Sequence, residues 1–307
     1  MDSWEPEYNM KNIDISKIKF TKVTNDTYDI IYSYHSKCDK IQYDMSFFWL
    51  IGVNSYFYSI YEDILIIKKV KNMFGRTIEY LLHKPLNKDG TYNEELYLAF
   101  KHSGMDCRDF KENISKDDKS TSVTGNSIIG GDIIYQYTND DLKLSGKKYN
   151  KYRYALKNIH PDITSKMYQL NEDICVDKLL EFIEKYKNLK PKSTFHLKTY
   201  IKQLPTNING FIHIIFYKDN IIGFSICEKM RDNYYIIIDR KHLYREIDNK
   251  VDFNMYIQYM DFKYILENVD EVTFNIGFMG TNKNLFDTKI KLRNYRQQHI
   301  SIIRNSI

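Results

Sequence analysis

Glycine and proline are scarce in this chain, at 12 and 5 of 307 residues. Their scarcity argues against collagen-like and low-complexity proteins, and no short-period repeat is visible. Cysteine is scarcer still, and Cys38, Cys107, Cys175 and Cys227 stand far apart. No Cys-x-x-Cys or Cys/His cluster exists, so a structural zinc site is not expected. The eight histidines form no His-Glu-x-x-His or His-x-Glu pattern, and a metal mechanism has no support. No Gly-x-Ser-x-Gly motif points to a covalent enzyme intermediate. Long apolar runs are missing too. The longest clean one, Phe47 to Val53, is far below the ~20 residues that a membrane helix needs. The stretch Met1 to Ile13 is polar and lacks a signal-type apolar core. With scattered single cysteines, this leads us to expect a soluble, cytoplasmic protein without a transmembrane segment.

What is present fits a folded globular chain: 43% hydrophobic and 28% charged residues. At a typical ~100–200 residues per domain, the length suggests two domains. The usage leans towards Lys, Ile, Asn and Tyr, with 27 tyrosines and a net charge of +5. An AT-rich coding sequence produces this bias. Aromatics beside basic residues also suit RNA, and composition leaves both open.

Periodicity divides the chain. In the first part, Asp44 to Asn54 suits a buried helix. Tyr56–Tyr61, Ile64–Val70 and Thr77–His83 read as strands rich in β-branched and aromatic residues. Tyr92 to His102 has helical spacing, and the polar stretch from Lys111 to Ser127 reads as a loop. Ile133–Tyr137 suits a strand. A short helix is expected from Asp140, and after Gly146 a strongly basic one carrying Lys147, Lys148, Lys151, Arg153 and Lys157. Asp173 to Lys190 is amphipathic, and a second helix is expected after Pro191. Strands follow at Phe211–Tyr217 and Ile221–Cys227, joined by a hairpin turn at Lys218–Asn220. A third strand is Tyr234–Asp239. Asp252–Asn268 is helical, Glu271–Asn275 a fourth strand, Asn282–Arg293 a helix and Gln298–Arg304 a last strand. An antiparallel run followed by helix-linked strands makes a mixed sheet, an α/β fold of the α+β type with helices on both faces.

That order resembles the GNAT acyltransferase fold. In that fold the sheet splays between its fourth and fifth strands, which by resemblance places a site near Asp239–Arg245 and Asn275–Asn282. Acetyl-CoA users bind pyrophosphate on a Gly-rich loop at a helix N-terminus, because bare N–H groups must approach the phosphates. The corresponding stretch here, DRKHLYREIDNKVDFN (Asp239 to Asn254), has no glycine, so acetyl-CoA is the less favoured donor. The segment YQYTNDDLKLSGKKYNKYRYALKN instead resembles the signature of the phosphatidylglycerol lysyltransferase C-terminal-like family. It matches at Tyr135, Tyr137, Leu142, Gly146, Lys147, Lys148, Lys151 and Arg153. FNIGFMGTNKNLFDTKIKL adds Asn275, Gly277, Leu285 and Lys289, and Asp239–Arg240 stands where the family has a Glu-Lys pair. The FemABX peptidyltransferases are similar more distantly.

The resemblance implies two tandem GNAT-like units, the first degenerate. Residues 1–145 are the expected N-terminal unit, 146–172 the basic helix and connector, and 173–307 the C-terminal unit. It implies aminoacyl-tRNA as co-substrate, no other cofactor, and transfer to an amine or hydroxyl on a small molecule, peptide or other polymer. A soluble acceptor is favoured over a phospholipid, because the membrane-embedded half of the lipid lysyltransferases is missing. Asp239 is then a candidate base or ammonium binder. Asn275 is a candidate to orient a carbonyl, and Lys289 and Arg240 to balance an oxyanion or phosphate. The basic helix suits a phosphate backbone, and Tyr149, Tyr152 and Tyr154 suit base stacking. An acyl-CoA N-acyltransferase and a catalytically degenerate RNA- or protein-binding module are the alternatives.

Overall fold

The computed structural model describes residues 13–52, 55–73, 75–109, 127–190, 197–204, 206–248, 250–278 and 295–303. The first half of the chain forms β1 (Thr21–Lys22), α1 (Tyr28–His35), α2 (Phe47–Gly52), β2 (Tyr56–Tyr61), β3 (Ile64–Met73), β4 (Arg76–Leu81), β5 (Leu86–Asn87), α3 (Glu94–His102), β6 (Asp106–Asp109) and β7 (Ser127–Thr138). The second half forms α4 (Asn150–Asn158), β8 (Ile163–Gln169), α5 (Val176–Leu189), α6 (Leu197–Ile201), β9 (Gly210–Tyr217), β10 (Asn220–Arg231), β11 (Tyr234–His242), α7 (Phe253–Leu266), β12 (Glu271–Phe278) and β13 (Tyr295–Ile303).

Local chemistry accounts for many of these boundaries. Asn93 caps α3 by accepting from the Leu96 N–H at 2.8 Å, and Glu94 and Glu95 follow at the positive end of its dipole. The β9–β10 hairpin turns through Lys218 and Asp219, both left-handed at φ 47° and 66°, the geometry of a two-residue turn matched to strand twist. In α5 the buried stripe is Leu179, Phe182, Ile183 and Tyr186. α7 is buried around most of its circumference, on Phe253, Met255, Ile257, Phe262 and Ile265.

One mixed sheet runs through both halves, in the order β1-β2-β3-β4-β6-β13-β7-β12-β11-β10-β9-β8. Each half repeats one arrangement. In the first, β1 to β4 are antiparallel and β6 joins β4 in parallel. In the second, β8 to β11 are antiparallel and β12 joins β11 in parallel. Between them, β7 pairs with both β12 and β13, and β13 also pairs with β6. The two halves are thus laced through a shared pair of strands.

The expected helix over Asp44–Asn54 is a 3-10 turn at Tyr43–Met45 followed by the shorter α2. The expected helix at Asp140 is likewise a 3-10 turn, Asn139–Lys143. α1 and β8 were not expected. α1 buries Tyr28, Ile31, Tyr34 and His35, a helical spacing masked by polar neighbours. β8 is a polar strand at the end of the sheet, with few apolar residues to mark it. The expected helix at Asn282–Arg293 lies outside the described residues, as does the expected loop at Lys111–Ser127 apart from Ser127, where β7 begins.

The largest core joins the halves. Phe47, Phe48, Leu65 and Ile67 of the first pack with Ile183, Tyr200, Ile212, Phe224 and Ile236 of the second. A second core lies under α4 and α7, and a third under α3. Within the first, α2 is capped from the other half of the chain. The Glu228 carboxylate on β10 accepts from Ser46 Oγ at 2.6 Å and from the Phe47 and Phe48 N–H groups at 2.9 and 3.4 Å. Replacing Glu228 with Ala leaves these three donors buried without partners. The expected loss is on the order of 2–4 kcal/mol, using the usual penalty for stranded buried donors. Thermal unfolding checks it, and an unchanged midpoint contradicts the assigned role.

Candidate functional site

β11 and β12 are paired only at Tyr234–Thr273, Tyr235–Phe274 and Ile236–Asn275. Beyond that point β11 stays with β10 as far as His242, while β12 stays with β7. A cleft opens between them. At its mouth β11 carries a bulge: Ile237 faces Cys227 and Asp239 faces Ile226, so Ile238 is the extra residue. A bulge re-aims the side chains beyond it. Asp239 therefore shares the face of Ile226, which lies in the core between the two halves. Arg240, opposite Ser225, falls on the other face.

The cleft receives the turn before α2. Tyr43 donates its hydroxyl to the Ile238 carbonyl at 2.9 Å and its N–H to Asp132 at 2.7 Å. Asp132, on β7, also accepts from Asn275 Nδ2 at 2.8 Å, and the same amide reaches the Tyr234 hydroxyl at 3.2 Å. The Asn275 carbonyl oxygen accepts from the Gly277 N–H at 2.9 Å. Gly277 has φ 90°, and a Cβ there would come within 3.0 Å of the Tyr43 ring, so the position favours glycine twice over. Trp49 packs edge-on against Tyr43 and Tyr200, with ring centroids 5.9 and 6.2 Å apart.

Asp239 sits in this aromatic surround with its side chain 20% exposed, paired with Lys241 at 2.7 Å. Burial raises its pKa, and Lys241 and the Arg240 N–H only partly offset that rise. The Tyr43 and Tyr200 phenols are close enough to feel its charge. Burial also pushes Glu228 up to about 7 against the pull of its three donors. The arrangement is a split in the sheet, occupied by Tyr43, with a partly exposed carboxylate whose proton affinity is enhanced beside one ammonium and several phenols. Such a group is suited to take a proton from an attacking nucleophile.

The residues singled out from sequence distribute unevenly. Asp239 and Asn275 both border the cleft, Asn275 as its fully buried floor. Lys289 lies outside the described residues. The Arg240 guanidinium lies on the face opposite Asp239. It donates to Asp261 of α7 at 2.6 Å, and Asp261 also bonds His213 at 2.8 Å. Burial alone would raise the Asp261 pKa, but Arg240 and His213 hold it below the ordinary value.

In the basic segment, Lys147, Lys151 and Lys157 are exposed, while Lys148 reaches Asp141 at 3.4 Å. Arg153 is spent on its own loop, on the carbonyls of Leu144 and Gly146 and on Asn150. Tyr152 corrects the stacking expectation. It is 4% exposed, its hydroxyl meets that of Tyr137 at 3.1 Å, and no ring face is open to a base. Tyr149 is also buried, and Tyr154, 52% exposed, is the ring turned to solvent. Tyr149, Tyr152 and Ala155 pack in the α7 core, on the sheet face opposite Asp239.

Asp132, Glu228, Tyr43, Trp49, Tyr200 and Lys241 were missed. Two of them had a signal: Glu228 is a lone acid after the apolar run IIGFSIC, and Asp132 precedes IIYQY. Isolated acids beside such runs are either solvent-facing or buried for a purpose. Among the described residues no group of three or more His, Cys, Asp or Glu is placed to hold a metal ion, and no helix is long and apolar enough to cross a membrane.

No family model and no curated protein matches the chain by sequence. Solved structures do match. One is a conserved protein of unknown function from Bacteroides thetaiotaomicron, at 15% identity over 93% of this chain and 99% of that one, with a TM-score of 0.64. Another is L-PGS from Bacillus licheniformis, at 14% identity over 91% and 92%, with a TM-score of 0.57. The chain shares the L-PGS fold. The C-terminal domain (DUF2156) of a proposed lysylphosphatidylglycerol synthetase from Agrobacterium fabrum also matches, at 10% identity over 92% and 93%, with a TM-score of 0.55. The mixed α/β fold expected from the order of elements is the one found, with one strand arrangement repeated in each half.

Burial raises the folded-state pKa of Asp239 above its ordinary 3.8. In the window above 3.8 the folded chain therefore holds a proton that the unfolded chain releases, and this group's contribution to stability falls as pH rises. Asp239→Asn is expected to remove that slope. Unfolding midpoints of both proteins between pH 4 and pH 7, about the range this linkage covers, check it; parallel curves contradict it.

Proposed function

We propose that the chain is an acyl-group transferase that takes an aminoacyl group from aminoacyl-tRNA and passes it to an amine or hydroxyl. The observation that carries this reading is the cleft between β11 and β12, with Asp239 re-aimed into it by the bulge. The acceptor N–H or O–H attacks the ester carbonyl carbon, and Asp239 takes the proton. The bond to the ribose oxygen then breaks as the new amide or ester forms, and the departing oxygen receives the proton back. Asp239 thus acts as base and then acid, and its raised pKa keeps the return step favourable. Lys241, 2.7 Å from Asp239, positions the carboxylate and offsets charge on the tetrahedral intermediate.

The donor is favoured by what stands at the N-terminus of α7. A CoA pyrophosphate needs bare N–H groups at such a helix end. Here the N-cap is Asp252, an exposed acid, and the stretch before it holds no glycine. A carboxylate at that helix end opposes a pyrophosphate. The exposed Lys147, Lys151 and Lys157 are candidate contacts for an RNA backbone.

Incubating the protein with aminoacyl-tRNA or acetyl-CoA separates the donors. Charged tRNA is expected to raise the unfolding midpoint and to be deacylated in the presence of amine acceptors. Asp239→Asn is expected to slow transfer at least ~100-fold, the usual scale for loss of a general base, and to abolish the acidic limb of the pH–rate profile. Stabilisation by micromolar acetyl-CoA with no response to tRNA would sink the proposal.

A further inference from the structure

If the donor is an aminoacyl-tRNA, its acylated end must reach Asp239. The basic face of α4 is badly placed for that delivery, because α4 packs in the core on the opposite side of the sheet. A second surface is needed on the Asp239 side, and the β3–β4 hairpin provides one.

Cross-strand register sorts the residues of this hairpin onto two faces. Tyr56 opposes Lys69, Lys69 opposes Tyr80, and Lys71 opposes Ile78, with Arg76 one step further along. These residues share a face with Leu65 and Ile67, which lie in the core between the halves. The other face carries Lys68 and Glu79, paired at 2.7 Å. One face is therefore neutralised internally, whereas the other bears Lys69, Lys71 and Arg76 with no carboxylate paired to them among the described residues. Lys71, Arg76 and Ile78 are exposed and Tyr58 and Tyr80 are half-buried. Lys69 lies over the Tyr56 ring, 4.7 Å from its centroid. Burial and the neighbouring Lys71 lower the Lys69 pKa, as expected where cations crowd without an anion.

This face is continuous with the core on the Asp239 side: Tyr56, Leu65 and Ile67 pack in one cluster with Tyr200, Ile226 and Ile238. Successive rows of one strand face are about 6.8 Å apart, a spacing compatible with neighbouring phosphates of an extended single strand. Cations alternating with tyrosine rings suit such a strand, which offers charge and base faces together.

We infer that the face of the β3–β4 hairpin bearing Lys69, Lys71, Arg76, Tyr58 and Tyr80 binds the single-stranded 3′ end of an RNA, on the side of the sheet that carries Asp239. This rests on the aminoacyl-tRNA reading above, but names a surface that reading does not require.

The test is fluorescence anisotropy on the full chain, with an RNA hairpin ending in a single-stranded 3′ overhang and the same hairpin made blunt. Lys71→Glu/Arg76→Glu is compared with wild type and with Lys178→Glu/Lys187→Glu, an equal charge change at exposed positions of α5. Lys71→Gln/Arg76→Gln covers any folding defect of the first variant. Wild type is expected to prefer the overhang. Both hairpin variants are expected to lose that preference, to bind about tenfold or more weakly and to lower the slope of log affinity against log salt by about 2, one per phosphate contact. The α5 variant is expected to keep the preference. If wild type binds RNA and the hairpin variants bind it equally well, the surface is wrong and the aminoacyl-tRNA reading stands. If wild type binds neither RNA, both fall. Equal losses in the α5 variant, or binding of phosphatidylglycerol vesicles through Lys71 and Arg76 in place of RNA, also overturn the inference.

Discussion

The contact on which the molecule depends is the seating of one turn of the first half in the split sheet of the second. Sheet edges that separate expose carbonyl and N–H groups, and buried groups of this kind must find partners. Tyr43 supplies one by donating to the Ile238 carbonyl, on the side where β12 has left β11. Its own N–H goes to Asp132, and the following residues Ser46, Phe47 and Phe48 donate to Glu228. His35 donates to the Met45 carbonyl from the other side at 3.0 Å, which requires its proton on Nδ1. Two carboxylates of the sheet thus receive the donors of one short segment, and neither half presents a finished cleft alone.

This arrangement explains why the cleft is chemically unusual. Burying carboxylates between halves desolvates them, so Glu228 and Asp239 hold protons more strongly than exposed acids do. Glu228 is fully enclosed and structural in its contacts. Asp239 keeps some exposure and an ion pair with Lys241, and it lies on the face turned to Tyr43, Trp49 and Tyr200. The other face of β11 is occupied by the closed network of Arg240, Asp261 and His213, which stiffens the strand from behind. Adjacent residues of a single strand therefore meet opposite surroundings, Asp239 the aromatic side and Arg240 a closed ion-pair network.

Much of the order of elements was legible in the sequence, for local reasons. The β9–β10 hairpin declares itself through a polar turn between apolar runs and α5 through apolar periodicity, whereas α7 is buried nearly all round and carries no single stripe. The glycine-free stretch Asp239–Asn254 already spoke against a pyrophosphate loop, and the structure adds an exposed acid, Asp252, as the N-cap of α7. Basic residues after Gly146 were equally visible, but their surroundings were not. Arg153 folds back on its own loop, and Tyr152 turns inward to Tyr137.

What the sequence by itself determined is the alternation of strands and helices and the mixed α/β class, which follow from periodicity and residue type, properties of neighbours along the chain. The place of the split, with Asp239 and Asn275 near it, was expected from the resemblance to the acyltransferase fold. Only the tertiary structure decided that β7 and β13 bind the halves together, that a turn from the first half enters the split of the second, and that a bulge at Ile238 sets which faces Asp239 and Arg240 take. A one-residue bulge reverses which face every later side chain takes, and nothing in the run YYIIIDRKH marks where it falls. That single displacement in register, set by pairing with β10, places Asp239 in the cleft and Arg240 behind it.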